Sequence, residues 1–133
     1  MNILVVDDEK DVQMLFEQRF RREIKDRKVV FAFANSGKEA LNYLYQHQHE
    51  APLVLSDINM PGMSGLELLQ HIRREFDAPP PRVMMITAYG DIENYQQAIR
   101  LGADDFFTKP LDFKLLKEKL QIANEGSALL PSA

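Results

Sequence analysis

Apolar residues fall along this chain in two alternating patterns: short continuous blocks, and longer stretches in which they recur every three or four positions. Residues 2–7 form the first block, apolar until acids close it, as expected of a strand buried on both faces with its carboxyl end reserved for polar work. From Val12 the spacing changes: Leu15, Phe16, Phe20 and Ile24 follow at helical period, which predicts one helix with a single stripe on the core. A second strand is predicted over 29–33. Ser36 with Glu39 three residues later is a capping-box pattern, and Ala40, Leu41 and Leu44 carry that helix inward. The third strand is 53–56. Ser64 and Glu67 repeat the box ahead of Leu66, Leu69, Ile72 and Phe76, and Pro79, Pro80 and Pro81 end the helix. A fourth strand covers 83–87, followed by a helix capped by Asp91, carrying Tyr95, Ala98 and Ile99, and closed by Gly102. The fifth strand, 105–107, stops before Pro110. Asp112 then caps a last helix whose inward face is Phe113, Leu116 and Leu120.

Five strands strictly alternating with five helices predict an α/β fold, because right-handed crossovers lay helices on both faces of a parallel sheet. A doubly wound, five-stranded chain fits the flavodoxin-like strand order 2-1-3-4-5, in which ligands sit at the carboxyl ends of the strands. With 133 residues, 45% of them hydrophobic, the chain suits one compact core, and residues 1–123 are assigned to it. Residues 124–133 lose the period and become small and polar with a proline, the composition of a tail or the start of a linker.

Composition narrows the chemistry. There is no cysteine, so disulfides, thiol redox control and cysteine-based zinc sites are excluded, and a cytoplasmic protein is the expectation. The longest apolar runs fall far short of a membrane span. A net charge of −4 argues against nucleic acid as a direct ligand. Arg19, Arg21, Arg22, Lys25, Arg27 and Lys28 form one basic stretch, read as the solvated end of an amphipathic helix. His47 and His49 are two apart and do not share a helix face, so they and His71 are placed on the surface, while Met60 and Met63 serve as apolar cover.

The strand ends carry the polar residues that matter. Asp7 and Asp8 close the first strand, Asp57 the third, Thr87 the fourth and Lys109 the fifth, so a parallel sheet brings all five to one edge. Taken singly, each has an ordinary reading as a cap, a turn residue or a solvated lysine; their placement on one edge is what gives them weight. Three clustered carboxylates repel and raise one another's pKa values, and such a site calls for a cation. Oxygen-only donors favour Mg²⁺, with Mn²⁺ as the alternative. A carboxylate beside such an ion and an ammonium group can attack phosphorus and form an acyl phosphate, with a hydroxyl and backbone N–H groups on the equatorial oxygens.

The segments VVDDE at 5–9, DINMPGMSG at 57–65, TAYGD at 87–91 and FFTKP at 106–110 resemble, in order and over about 120 residues, the signatures of two-component response-regulator receiver domains. The resemblance implies that Asp57 accepts a phosphoryl group from a sensor histidine kinase or a phosphotransfer protein. It further implies that Asp8, Asp57 and the backbone carbonyl of Asn59 ligate the metal, that Asp7 acts on it through water, and that Lys109 and Thr87 contact the phosphoryl group. Thr87 and Phe106 occupy switch positions, the latter often tyrosine in the family, and the Asn59 side chain and Tyr89 occupy positions that modulate phosphoryl lifetime. The same resemblance implies a signalling domain, not an enzyme, that assists its own phosphotransfer and dephosphorylation. It would switch a surface over 91–123, which also offers a homodimer contact, and have a cis Lys109–Pro110 bond. Two other functions are weaker. Haloacid-dehalogenase-like phosphatases carry Asp-x-Asp after the first strand where this chain has Asp7-Asp8-Glu9, and a flavin or nucleotide module would need a glycine-rich first turn.

Overall fold

A computed structural model describes residues 1–121 other than Ala51, Ala78 and Tyr89; the tail expected at 124–133 and the proposed modulator Tyr89 lie outside the described residues. The strands are β1 (Asn2–Val6), β2 (Val30–Ala34), β3 (Leu53–Asp57), β4 (Val83–Thr87) and β5 (Asp105–Thr108), all parallel in the order β2-β1-β3-β4-β5. This is the expected doubly wound arrangement. Strands β3 and β4 are buried at every residue, including the polar Ser56, Asp57 and Thr87 at their carboxyl ends, and ahead of those ends they read as apolar blocks.

Successive side chains of one strand enter opposite layers. Leu4, Val6, Val54, Val83 and Met85 pack with Leu41, Leu44, Leu68, Leu69 and Ile72 from α3 (Gly37–Gln46) and α4 (Gly65–Glu75), and with Ala98 from α5 (Ile92–Arg100). Ile3, Val5, Leu55, Met84 and Ile86 face the other way, onto Phe16 of α1 (Asp11–Arg19) and Leu116 and Leu120 of α6 (Phe113–Leu120). The period of two thus survives inside strands whose sequence shows no polar alternation.

The single first helix of the sequence reading is instead two. It breaks at Phe20, which leaves helical dihedrals (φ −107°, ψ 22°), and resumes as α2 (Arg21–Lys25), so the described residues hold six α-helices and one 3₁₀ turn, Gln48–Glu50, where five helices were expected. Phe20 is fully buried in an aromatic cluster, 4.9 Å from the Phe31 ring and 6.0 Å from Phe113, with Phe16 stacked alongside. That cluster holds the ring, and the expected stripe divides around it: Phe16 and Phe20 are interior while Leu15 and Ile24 are exposed. On α5, similarly, Ala98 alone is buried, and Tyr95 and Ile99 face solvent. Of the basic stretch, Arg19, Arg21, Arg22, Lys25 and Arg27 are exposed, as a solvated helix end should be.

The caps are local and mostly as anticipated. Ser64 and Glu67 form the full reciprocal box, and Asp91 and Asp112 accept from the backbone N–H groups of Asn94 and Leu115. At α3 only half the box forms. Ser36 Oγ accepts from the Glu39 amide at 3.1 Å, but the Glu39 carboxylate accepts from Asn35 N–H rather than from Ser36. Gly102 closes α5 at φ +92°, and the Lys109–Pro110 bond is cis.

Candidate phosphoacceptor and metal site

Register places the polar residues. Asp57, last in β3, pairs with Ile86, so Thr87 stands one residue beyond it on β4; Thr87 pairs with Thr108, and Lys109 follows on β5. Val6 pairs with Ser56 on one side and Ala34 on the other, which sets Asp7 and Asp8 at the same edge. Asp7, Asp8, Asp57, Asn59, Thr87 and Lys109 therefore lie at the carboxyl edge, whereas the expected switch residue Phe106 sits further back on β5, paired with Met85.

Asp57 is buried, with 2% of its side chain exposed. Its Oδ2 accepts from Lys109 Nζ at 3.0 Å and its Oδ1 from the Asn59 amide at 3.4 Å. Asp7 is also buried, and its Oδ1 accepts from the Glu9 amide at 2.9 Å, while Asp8 stands in solvent. One carboxylate oxygen from each of Asp7, Asp8 and Asp57 lies within 4.8 Å of the others. This all-oxygen donor set, partly buried and partly open, suits a hard cation that keeps some of its waters.

The electrostatics fit a cation. Burial chiefly raises the Asp7 pKa above its ordinary value; the Glu9 amide opposes this, the Asp57 charge adds to it, and Lys109 offsets part. For Lys109, desolvation pulls downward, but the hydrogen bond to Asp57 and the charges of Asp57, Asp7 and Glu9 outweigh it and hold the amine above its usual range. It stays cationic.

The Thr87 hydroxyl is buried, with no hydrogen-bond partner among the described residues, a costly state unless an acceptor arrives. Phe106 is half-buried, packed against the α3–α5 side of the core with its ring 4.0 Å from Tyr95. The Asn59 side chain is exposed beside the site. Two contributors escaped the sequence reading. Glu9 presents its amide to Asp7 and its charge to Lys109, and Ser56 donates from Oγ to the Asp57 carbonyl at 2.9 Å. Glu9 stood inside the quoted VVDDE segment, whereas nothing in the sequence marks Ser56. A cleft of about 200 Å³ opens beside Asp7, lined by Val5, Glu9, Val12, Phe33 and Asn35.

Residues 3–121 match the family model described as a response regulator receiver domain. The chain belongs to the response-regulator receiver family. Curated relatives agree. Response regulator RppA of Synechocystis is 36% identical over 96% of this chain and 52% of its own length, and the response regulator protein PilR of Pseudomonas aeruginosa is 38% identical over 90% of this chain and 25% of its own. The receiver chain thus spans about half or less of these two relatives. Among solved structures, a receiver domain protein from Clostridium thermocellum superposes with a TM-score of 0.78 at 26% identity, covering 97% of this chain and 98% of that one. The receiver domain of NtrX from Brucella abortus superposes at 0.74 with 33% identity over 90% and 95% of the two chains. Membership makes this a phosphoacceptor signalling domain and accounts for an edge of acids, a lysine and a hydroxyl without a glycine-rich phosphate loop. No helix among the described residues is long and apolar enough to cross a membrane.

Proposed function

We propose that this receiver takes a phosphoryl group onto Asp57 from the phosphohistidine of a sensor kinase or phosphotransfer protein, and that the modified domain controls an output through its 91–123 surface. The observation that carries the reading is a buried Asp57 carboxylate 3.0 Å from the Lys109 ammonium, beside a buried Thr87 hydroxyl that has no hydrogen-bond partner among the described residues.

An Asp57 carboxylate oxygen attacks phosphorus, the bond to the donor nitrogen breaks, and the imidazole leaves with a proton. Lys109 and Thr87 supply a cation and a hydroxyl donor to the equatorial oxygens, which give the hydroxyl an acceptor. Asp8, Asp57 and the Asn59 carbonyl would hold Mg²⁺ directly, with Asp7 acting through water and Mn²⁺ as a substitute. The ion supplies charge neutralisation. In dephosphorylation water attacks phosphorus, and carboxylate and inorganic phosphate are regenerated. The Asn59 side chain and Tyr89 would set how readily that water enters. This domain has no independent substrate turnover, and it acts without binding nucleic acid or a membrane itself, in the cytoplasm.

Incubation with a phosphorylated donor or acetyl phosphate and Mg²⁺ should add one phosphoryl group, seen as intact mass after acid quench. No mass addition under these conditions would overturn the assignment. Mg²⁺ alone should raise the melting temperature, by an amount corresponding to about 2.7 kcal/mol at a hundredfold excess over Kd. Asp8→Ala should remove most of that response, and an unchanged response would place the ion elsewhere.

Movement of Thr87 toward the phosphoryl oxygens would vacate space that Phe106 can enter. Because phenylalanine has no hydroxyl to desolvate, its inward state needs no polar partner and is populated before phosphorylation. Side-chain NMR of the free and beryllofluoride-bound forms should show both residues changing rotamer populations, with the 91–123 face responding and available for a homodimer contact. Identical rotamers in the two states would exclude this route.

A further inference from the structure

Helix α5 is held differently at its two ends. Its N-terminal end follows close behind Thr87, and among the described residues the hydrogen bonds there are local. Asp91 accepts from the Asn94 amide at 3.1 Å and from the Asn94 side chain at 2.7 Å, and the amides of Asp91 and Ile92 reach only Ala88 and Gly90. Along the helix Ala98 alone is buried, while Ile92, Tyr95 and Ile99 are exposed.

The C-terminal end is tied to two other elements by Arg73, from the last turn of α4. Its Nε and Nη2 donate to the Gly102 carbonyl at 3.2 and 2.7 Å, its Nη1 to the Pro81 carbonyl at 2.7 Å, and its Nη2 also to Asp104 Oδ2 at 2.9 Å. The same Asp104 oxygen accepts from the Val83 amide at 2.7 Å, and the Asp104 amide donates to the Val83 carbonyl at 2.8 Å. One planar guanidinium thus joins the residues after α5 to α4 and to the start of β4, a span that needs a fork of donors. The Arg73–Asp104 charge pair, with side chains 24% and 38% exposed, is screened by water, so the bonds to two backbone carbonyls do most of the fixing.

We propose, resting on Asp57 as the acceptor and 91–123 as the responding surface, that Arg73 makes the C-terminal end of α5 a fixed pivot. Phosphorylation then tilts the helix about Gly102, carrying Ile92 and Tyr95 while Arg100 stays in place. Tyr95 takes the push: its ring lies 4.0 Å from Phe106, and a Phe106 ring that turns inward changes that contact. The lever is long. Ile92 lies about 15 Å of helix from Gly102, and Arg100 about 3 Å. A tilt of about 10° moves Ile92 by roughly 2.6 Å and Arg100 by roughly 0.5 Å. Without the anchor this shallowly buried helix has nothing to turn against, and both ends shift.

The chain has no cysteine, so nitroxide labels attach only where cysteines are introduced. Electron–electron distance measurements would pair Ile92→Cys or Arg100→Cys, both at exposed positions, with a reference on either face of the sheet, Met14→Cys in α1 or Lys38→Cys in α3. Beryllofluoride with Mg²⁺ should shift distances to position 92 by about 2 Å or more and leave those to position 100 unchanged. In Arg73→Ala, and in Arg73→Lys, which keeps the charge but not the fork, distances to position 100 should shift or broaden as well. Arg74→Ala, at an exposed neighbouring position, should behave as the parent. Equal shifts at 92 and 100 in the parent, no shift at either, or a stationary position 100 in both Arg73 variants would overturn the pivot. Phosphoryl incorporation read by intact mass in parallel keeps the two readings apart. A parent that is labelled but gives one of those results loses only the pivot, whereas an unlabelled parent loses the acceptor assignment and the pivot with it.

Discussion

Asp57→Asn should bring phosphoryl incorporation from acetyl phosphate and Mg²⁺ down to background while leaving the domain folded. The amide matches the carboxylate in size, so the buried pocket, in which the side chain is 2% exposed, stays filled. What is lost is the nucleophile: an amide oxygen carries no negative charge and cannot form the acyl phosphate. Lys109 loses its anionic partner at 3.0 Å, but its side chain is 40% exposed and water can solvate the ammonium. Intact mass after acid quench reads the outcome directly, and circular dichroism shows whether the fold survives. Labelling at the parent's rate would mean that another residue accepts the group.

Gly65→Ala should give the largest stability loss of any single-methyl addition in the domain. Gly65 opens α4, and its amide donates to the Ile58 carbonyl at 2.8 Å, which pins the helix start against the loop leaving Asp57. A Cβ built there would stand 2.2 Å from the Asp57 carbonyl oxygen and 2.8 Å from Ile58 Cα, both backbone atoms, and 2.8 Å from Met85 Cε. A flexible side chain can yield, but these backbone atoms move only if Asp57 moves with them. Ordinary overpacking costs about 1–3 kcal/mol, and this contact belongs at or beyond the upper end. For a domain of this size that corresponds to a fall in melting temperature of roughly 10 °C, with slower phosphorylation because the acceptor is displaced. A melting temperature within two or three degrees of the parent, about what 1 kcal/mol or less would give, would show that α4 does not approach β3 so closely in solution.

The alternation of buried strands and amphipathic helices was legible because it depends on nearest neighbours and on period: unbroken apolar blocks mark β1, β3 and β4, and Ser64 with Glu67, Asp91 and Asp112 mark helix starts through bonds spanning three residues. Alternation and the handedness of crossovers implied a parallel sheet covered on both faces, five strands fitted the common order 2-1-3-4-5, and with the parallel sheet came the expectation that Asp7, Asp8, Asp57, Thr87 and Lys109 share an edge. Contacts across the sequence were settled by packing alone. The break at Phe20 has no glycine or proline to announce it; rings from β2 and α6 meet there only after the chain has folded. The half-formed box at Ser36 and the exposure of Leu15, Ile24, Tyr95 and Ile99 likewise depend on backbone directions that a periodic pattern does not encode. The same holds at the site. Residue type alone pointed to a carboxylate, a hydroxyl and a lysine at strand ends, but the 3.0 Å pairing of Asp57 with Lys109, 52 positions apart, and the burial of the Thr87 hydroxyl come from sheet register and packing, which exist only in the assembled fold.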